Sequence, residues 1–222
     1  MPHQHGSRGL DRRTNAANEP RRHYDSGGDM KPAGSFFWRK LDGPGHDSCR
    51  LFRLPNGWRL AGAAVFHEDN RPCHFQYEVV VDTAWRTRRA AVSGYLGNKE
   101  IRLKIAAAAA VRNRQWRVGD DIQKNLTGCV DVDLGFTPST NLIVLNRLAL
   151  AVGEYADAPA AYLKFPGMRF VTLPQTYHRI GATEYAYEAP TVGYAGTLQV
   201  LPSGAVAHYP KLFELYQSRP VT

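Results

Sequence analysis

CRLFRLPNGWRLAGAAVF, residues 49–66, holds two apolar runs, Cys49 to Leu54 and Trp58 to Phe66, on either side of Pro55-Asn56-Gly57. Asn-Gly between such runs is a hairpin signal, because both residues accept the positive φ that a tight turn demands. The same grammar repeats outward. His74 to Asp82 alternates, with Phe75, Tyr77, Val79 and Val81 on one face and Gln76, Glu78 and Asp82 largely on the other. Arg86 to Tyr95 and Ile101 to Ile105 flank Gly97-Asn98, a second hairpin candidate. In the latter run Ile101, Leu103 and Ile105 alternate with Arg102 and Lys104, a half-buried strand. Upstream, the folded part begins at Phe36-Phe37-Trp38.

Downstream, Ala106–Ala110 is ambiguous, since alanine favours helix but five residues are short. The Arg-Asn-Arg-Gln-Trp that follows reads as another turn and strand. Ala161 to Phe165, Met168 to Ile180, Glu184 to Glu188, Gly196 to Leu201 and Ala205 to Tyr209 are each bounded by Gly or Pro. Turn signals every eight to twelve residues or so are the spacing of an all-β sandwich, barrel or roll. Leu142 to Leu150 is the best helical candidate and reads nearly as well as a buried strand. Without a repeat or internal linker, residues 36–222 are expected to form one β domain. Residues 1–35, rich in Arg, His, Asn, Gly and Pro without hydrophobic periodicity, are expected to be a disordered basic and polar tail.

The chain has 222 residues, 43% hydrophobic and 22% charged, with a formal net charge of +8. That balance suits a globular domain with a real core. The charge is spread rather than blocked, so it points only weakly to nucleic acid, and the aromatics alternate into the core instead of lining a basic strip. No nucleic-acid partner is expected. Cys49, Cys73 and Cys129 are far apart and show no zinc spacing. A tail without an apolar run is not a secretory signal, and no run reaches membrane-spanning length. A cytoplasmic protein with no cofactor and no metal site follows as the expectation.

The chemistry concentrates in GCVDVDLGFTPSTNLIVLNRLAL, residues 128–150. Cys129, Asp131 and Asp133 fall on one strand side, a Thr-Pro-Ser-Thr-Asn turn follows, and Arg147 is the one cation in the apolar run. The two carboxylates stand about 6.5 Å apart, from two steps of ~3.3 Å. Such a pair can serve glycoside hydrolysis, hold a divalent cation, line a ligand site or sit in an ion-pair network. Arg86 and Arg88 share a face and suit bidentate pairing with carboxylates, which leads to an expected network of Arg86, Arg88, Asp131 and Asp133. Gln175, Tyr177 and Arg179 form a third polar strand face, either solvated or turned inward as donors to a ligand. Nothing ties a histidine to a nucleophile, and no GxSxG, HExxH, P-loop or GxGxxG signature is present.

Several phrases in order carry a resemblance: Tyr77…Asp82-x-x-Trp85-Arg86-Thr87-Arg88, then Gly128 to Leu134, then Thr137-Pro138-Ser139-Thr140-Asn141 with Arg147-Leu148. Phe165-Pro166, Pro174-Gln175-x-Tyr177-x-Arg179 and Tyr185-x-Tyr187 continue it. Over about residues 36–216 the chain resembles the glycolipid-binding protein family of bacteria. The resemblance implies a single long, curved antiparallel sheet forming a β-roll or open barrel with little helix, similar to lipoprotein carriers. Two features depart from it. The N-terminal extension has no counterpart, and Leu-Ile-Val-Leu-Asn after Asn141 stands where a Leu-Pro-Ile-Arg-like run is expected, so Asn146 replaces a second cation.

The expected function is non-catalytic binding of a glycolipid or lipid-like molecule, with transient contact at a membrane surface. The acyl part would lie on an apolar concave face. Its head group would meet Trp85, Arg86, Arg88, Asp131, Asp133, Asn141, Arg147, Gln175, Tyr177 and Arg179. The alternatives are a hydrolase acting on a sugar or lipid through Asp131 and Asp133, and a ligand-free scaffold.

Overall fold

The computed structural model describes residues 31–108 and 114–219. Residues 1–30 of the expected tail and the end of the Ala106–Ala110 run lie outside them. From the N-terminus come β1 (Pro32–Lys40), β2 (Gly45–Leu54), β3 (Gly57–Glu68), β4 (Arg71–Val81), β5 (Thr87–Leu96), β6 (Lys99–Ala107), β7 (Trp116–Val118) and β8 (Asp121–Ile122). A short strand, β9 (Asp131–Leu134), a 3-10 turn at Pro138–Thr140 and the helix α1 (Asn141–Leu148) follow. The chain ends with β10 (Tyr155–Asp157), β11 (Ala160–Lys164), β12 (Arg169–Leu173), β13 (Thr176–Arg179), β14 (Glu184–Ala189), β15 (Tyr194–Val200), β16 (Val206–Tyr209) and β17 (Phe213–Arg219).

Fourteen strands form one antiparallel sheet in the order β10-β13-β14-β15-β16-β17-β1-β2-β3-β4-β5-β6-β7-β8, which does not close into a barrel. Two meanders, β1 to β8 and β13 to β17, are joined where β17 pairs with β1. β9, β11 and β12 make a small second sheet, with β9 parallel to β11. The all-β architecture built on one long antiparallel sheet, expected from the sequence, is observed, with the three-stranded sheet as an addition to it.

The hairpin expected at residues 55–57 is present with a shifted turn. Leu54 pairs with Gly57, so Pro55-Asn56 is the loop and Gly57 opens β3. Glycine is required there: at φ +142 a Cβ would lie 2.0 Å from the Val81 carbonyl oxygen. Gly97-Asn98 forms the second expected loop, between Leu96 and Lys99. Met168 to Ile180, read as one run, divides into β12 and β13, because Pro174 has no N–H for a ladder and sits between them.

Alternation sets the two faces of β2 to β6. Cys49, Leu51, Leu60, Phe66, Phe75, Val79, Val92 and Ile105 are buried on one face, and His46, Ser48, Arg50, Gln76, Ser93, Arg102 and Lys104 are exposed on the other. The apolar face is covered by the chain itself. Phe136, just after β9, packs with ring centroids 4.9 Å from Phe75 and 5.9 Å from Tyr77. Leu142, Ile143, Trp38 and Trp116 are fully buried. The segment read as strand or helix is α1, whose first five residues are all buried, and five buried residues in succession show no amphipathic stripe.

Candidate functional site

The Asp82-to-Arg88 phrase forms a loop organised by one carboxylate. Asp82 Oδ1 accepts hydrogen bonds from the backbone N–H groups of Ala84 and Arg86 at 3.0 and 2.9 Å. Its Oδ2 accepts from Arg86 Nε at 2.9 Å and lies 3.3 Å from Arg88 Nη2. Burial works to raise this carboxyl, but the Arg86 and Ala84 hydrogen bonds and the Arg86 charge hold it below its usual range. Trp85 occupies the left-handed region at φ 60 and stacks on Trp58 with centroids 5.0 Å apart.

Arg86 and Arg88 therefore pair with Asp82, which sits beside them in sequence, rather than with the carboxylates of β9. Asp131, fully buried, is gripped by Arg147 of α1. Nε donates to both carboxylate oxygens at 2.9 Å and Nη2 donates to Oδ2 at 2.6 Å. Burial raises the Asp131 carboxyl, against the hydrogen bonds and charge of Arg147 and the charge of Arg114. Asp133 is partly buried and has no hydrogen-bond or ion-pair partner among the described residues. Burial, and then the Asp131 charge, push it up to about 7. The field of Asp133 reaches Tyr162, Tyr177, Tyr187 and Tyr209.

Gln175, Tyr177 and Arg179 turn inward. The buried Tyr177 hydroxyl accepts from Asn141 Nδ2 at 2.9 Å, and Gln175 Oε1 accepts from the Tyr187 hydroxyl at 2.7 Å. Arg179 spends its guanidinium on backbone carbonyls, those of Leu150 at 2.7 Å and Ala182 at 2.8 Å. The ten expected site residues thus fall into three groups: the Asp82 loop, the adjoining Asp131–Arg147 pair, and a tyrosine-lined interior.

A further cluster was not anticipated. Asp47 on β2 is buried and accepts from the Tyr77 hydroxyl at 3.0 Å and from the Thr137 hydroxyl. Thr137 Oγ1 is in turn 2.9 Å from Ser139 Oγ. Burial lifts the Asp47 carboxyl to about 7 despite those hydroxyls. The signal was an acid in step with Cys49 and Leu51, at the apolar positions of β2. β2 begins at Gly45, ahead of the apolar run, so Asp47 lies on the strand. Burial also raises the thiols of Cys49, Cys73 and Cys129, which leaves them protonated.

The large concavity lies on the opposite, outward face of β2 to β6. It measures about 1230 Å³. Two cross-strand rows build it: Ser48, Ala63, Gln76, Ser93 and Arg102, and next to it Arg50, Ala61, Glu78, Ala91 and Lys104. Short side chains make the floor, and Arg50, Arg102 and Lys104 stand on the rim. Beside the groove on β1, β2 and β17, Phe37, His46 and Tyr216 stack at 5.1 to 6.4 Å. Phe37, Val65, Tyr95 and Tyr216 are all exposed on this surface.

Among the described residues, no group of three His, Cys, Asp or Glu converges as metal ligands. No helix among them is long and apolar enough to cross a membrane. A family model described as "Putative glycolipid-binding" matches residues 35–215. The chain is similar to the crystal structure of a DUF1089 family protein from Pseudomonas aeruginosa, with a TM-score of 0.66 and 25% identity, covering 85% of this chain and 96% of that one. No curated protein matches the sequence.

Proposed function

The chain belongs to the family described as "Putative glycolipid-binding", and from that premise we propose that it holds an amphipathic, glycolipid-like molecule in the outward groove without converting it. The observation that carries this reading is the groove itself. Ligand sites are mostly apolar concavities of about 300–1,000 Å³ with a few placed polar groups. This one is larger, at about 1230 Å³. Ala61, Ala63 and Ala91 keep its floor low enough for an acyl chain. Arg50, Arg102 and Lys104 offer donors to the hydroxyls or acidic groups of a head.

This reading moves the acyl chain away from the inner face of the roll, where Phe136 and α1 already occupy the apolar surface. Nothing comparable favours hydrolysis. Asp133 has the raised pKa that a general acid needs, but its neighbour Asp131 is buried and engaged by Arg147.

Native mass spectrometry of the purified protein, before and after organic extraction, tests the proposal. The expected result is a lipid-sized mass that extraction removes and that an added single-chain glycolipid restores. Bare protein in every preparation, with no uptake of added glycolipid, would leave a ligand-free scaffold as the account.

A further inference from the structure

Four guanidinium groups gather around two carboxylates where the start of β5 meets β9. Thr87 anchors the junction, its Oγ1 accepting from the Val132 N–H at 3.1 Å. On one side Arg86 and Arg88 lie 2.9 and 3.3 Å from Asp82. On the other Arg147 holds Asp131 at 2.6 Å. Arg114, stacked over the buried Trp116 ring at 5.5 Å, lies within Coulombic reach of Asp82, Arg88, Asp131 and Arg86. With both acids ionised, four positive charges face two negative ones, a surplus of two, or of one when Asp133 beside Asp131 is ionised as well. Protonating either acid only enlarges it.

Arg114 is the anomaly. Its Nε and Nη2 are both hidden from solvent and have no hydrogen-bond partner among the described residues. These two atoms form one edge of the guanidinium, the same edge with which Arg147 grips Asp131. A buried donor without a partner is destabilising, the more so when it is charged. A parallel pair of N–H groups matches the two oxygens of a carboxylate or phosphate.

We infer that the Arg114 fork, unpaired among the described residues and flanked by Arg88 and Arg86, is a binding site for a phosphate-like oxyanion. A surplus of one to two matches the charge of a phosphomonoester or inorganic phosphate near neutral pH, which therefore fits better than a carboxylate. Arg86 and Arg88, with side chains 40% and 39% exposed, are the solvent side of the site. None of these residues lines the groove on the outward face. The inference therefore does not rest on the groove and fails or stands separately from it.

The test is a titration of the full chain at low ionic strength, read by calorimetry and by the thermal midpoint. Inorganic phosphate is one arm, and micelles of a phosphatidic acid against micelles of the matching diacylglycerol are the other. Saturable binding in the wild type, weakened about tenfold or more in Arg114→Gln and unchanged in Arg169→Gln, an exposed arginine of β12 outside both the groove and the cluster, is the expected result. Saturation by inorganic phosphate alone identifies a free-ion site, and binding confined to the phosphatidic acid identifies a head-group site. Both support the assignment. Arg88→Gln, at the exposed side, gives the same reading if Arg114→Gln does not fold. Binding of neither probe, or binding equal in the wild type and both variants, overturns it.

Discussion

At the scale of single residues, the informative groups are acids placed where burial works against their charge. Asp133 has a folded-state pKa of about 7, above the ordinary 3.8. A raised value means that the fold favours the protonated form. Its stabilising contribution is complete below about pH 4 and is lost as pH rises towards 7. Asp133→Asn, neutral throughout, should gain most over the wild type at pH 8, on the order of 1–3 kcal/mol after its partial exposure is allowed for, and least at pH 4. Urea unfolding at both pH values measures this. A constant difference across the range would show that Asp133 titrates normally. Asp47 shares the direction and the window.

Gly62 makes a second residue-level case. A Cβ there would lie 2.4 Å from Cζ and Oη of Tyr77 and 2.7 Å from the Ser48 carbonyl oxygen. Gly62→Ala should therefore displace the Tyr77 ring from Asp47 and cost roughly 1–3 kcal/mol, by the usual penalty of overpacking. The midpoint of denaturant unfolding reports it.

At the scale of elements, alternation and turn chemistry were legible in the sequence, and the choice of partner for a charge was not. The alternation of β4, with Phe75, Tyr77, Val79 and Val81 inward, follows from period two alone. The 55–57 and 97–98 turns follow from Asn and Gly chemistry. The partner of Arg86 and Arg88 was misassigned, because two Asp-bearing segments compete for them. Sequence cannot rank a tight loop carboxylate against one on a distant strand, and proximity along the chain won. Asp82→Ala should remove two backbone hydrogen bonds and two charged contacts together, destabilising by about 3 kcal/mol. Increased hydrogen exchange confined to residues 82–88 would confirm that the loop, and not the sheet, depends on Asp82.

Arg147 extends the same argument to α1. The helix carries its one cation in the last turn, where the helix dipole also favours it, and aims it at the buried Asp131. Arg147→Ala leaves a buried carboxyl without its partner, and the expected loss is roughly 3–5 kcal/mol. Arg147→Ala combined with Asp131→Asn should recover part of it, since the orphan charge is gone. A double variant no better than the single one would mean that Arg147 acts by packing alone.

At the scale of the whole molecule, the sheet has two faces with different occupants. The inward face is filled by Phe136, α1 and the small second sheet, so the apolar surface that the sequence predicted is used for stability. The outward face of β2 to β6 keeps its groove because Ala61, Ala63, Ala91, Ser48 and Ser93, scattered over three strands, are brought into line by register. Read one strand at a time, each is an unremarkable small residue on a solvent face. Only the pairing turns them into a floor, which is why the groove was invisible in the sequence.

The central claim is that this groove holds the amphipathic ligand. Ala63 stands mid-floor between Ser48 and Gln76, and its side chain faces out of the core, so a large substituent fills the groove without disturbing the fold. The direct measurement is equilibrium binding of a fluorescent single-chain glycolipid to the wild type and to Ala63→Trp, with thermal midpoints matched. The account predicts saturable binding to the wild type that weakens at least about tenfold in the variant. Equal affinity in the two proteins would contradict it.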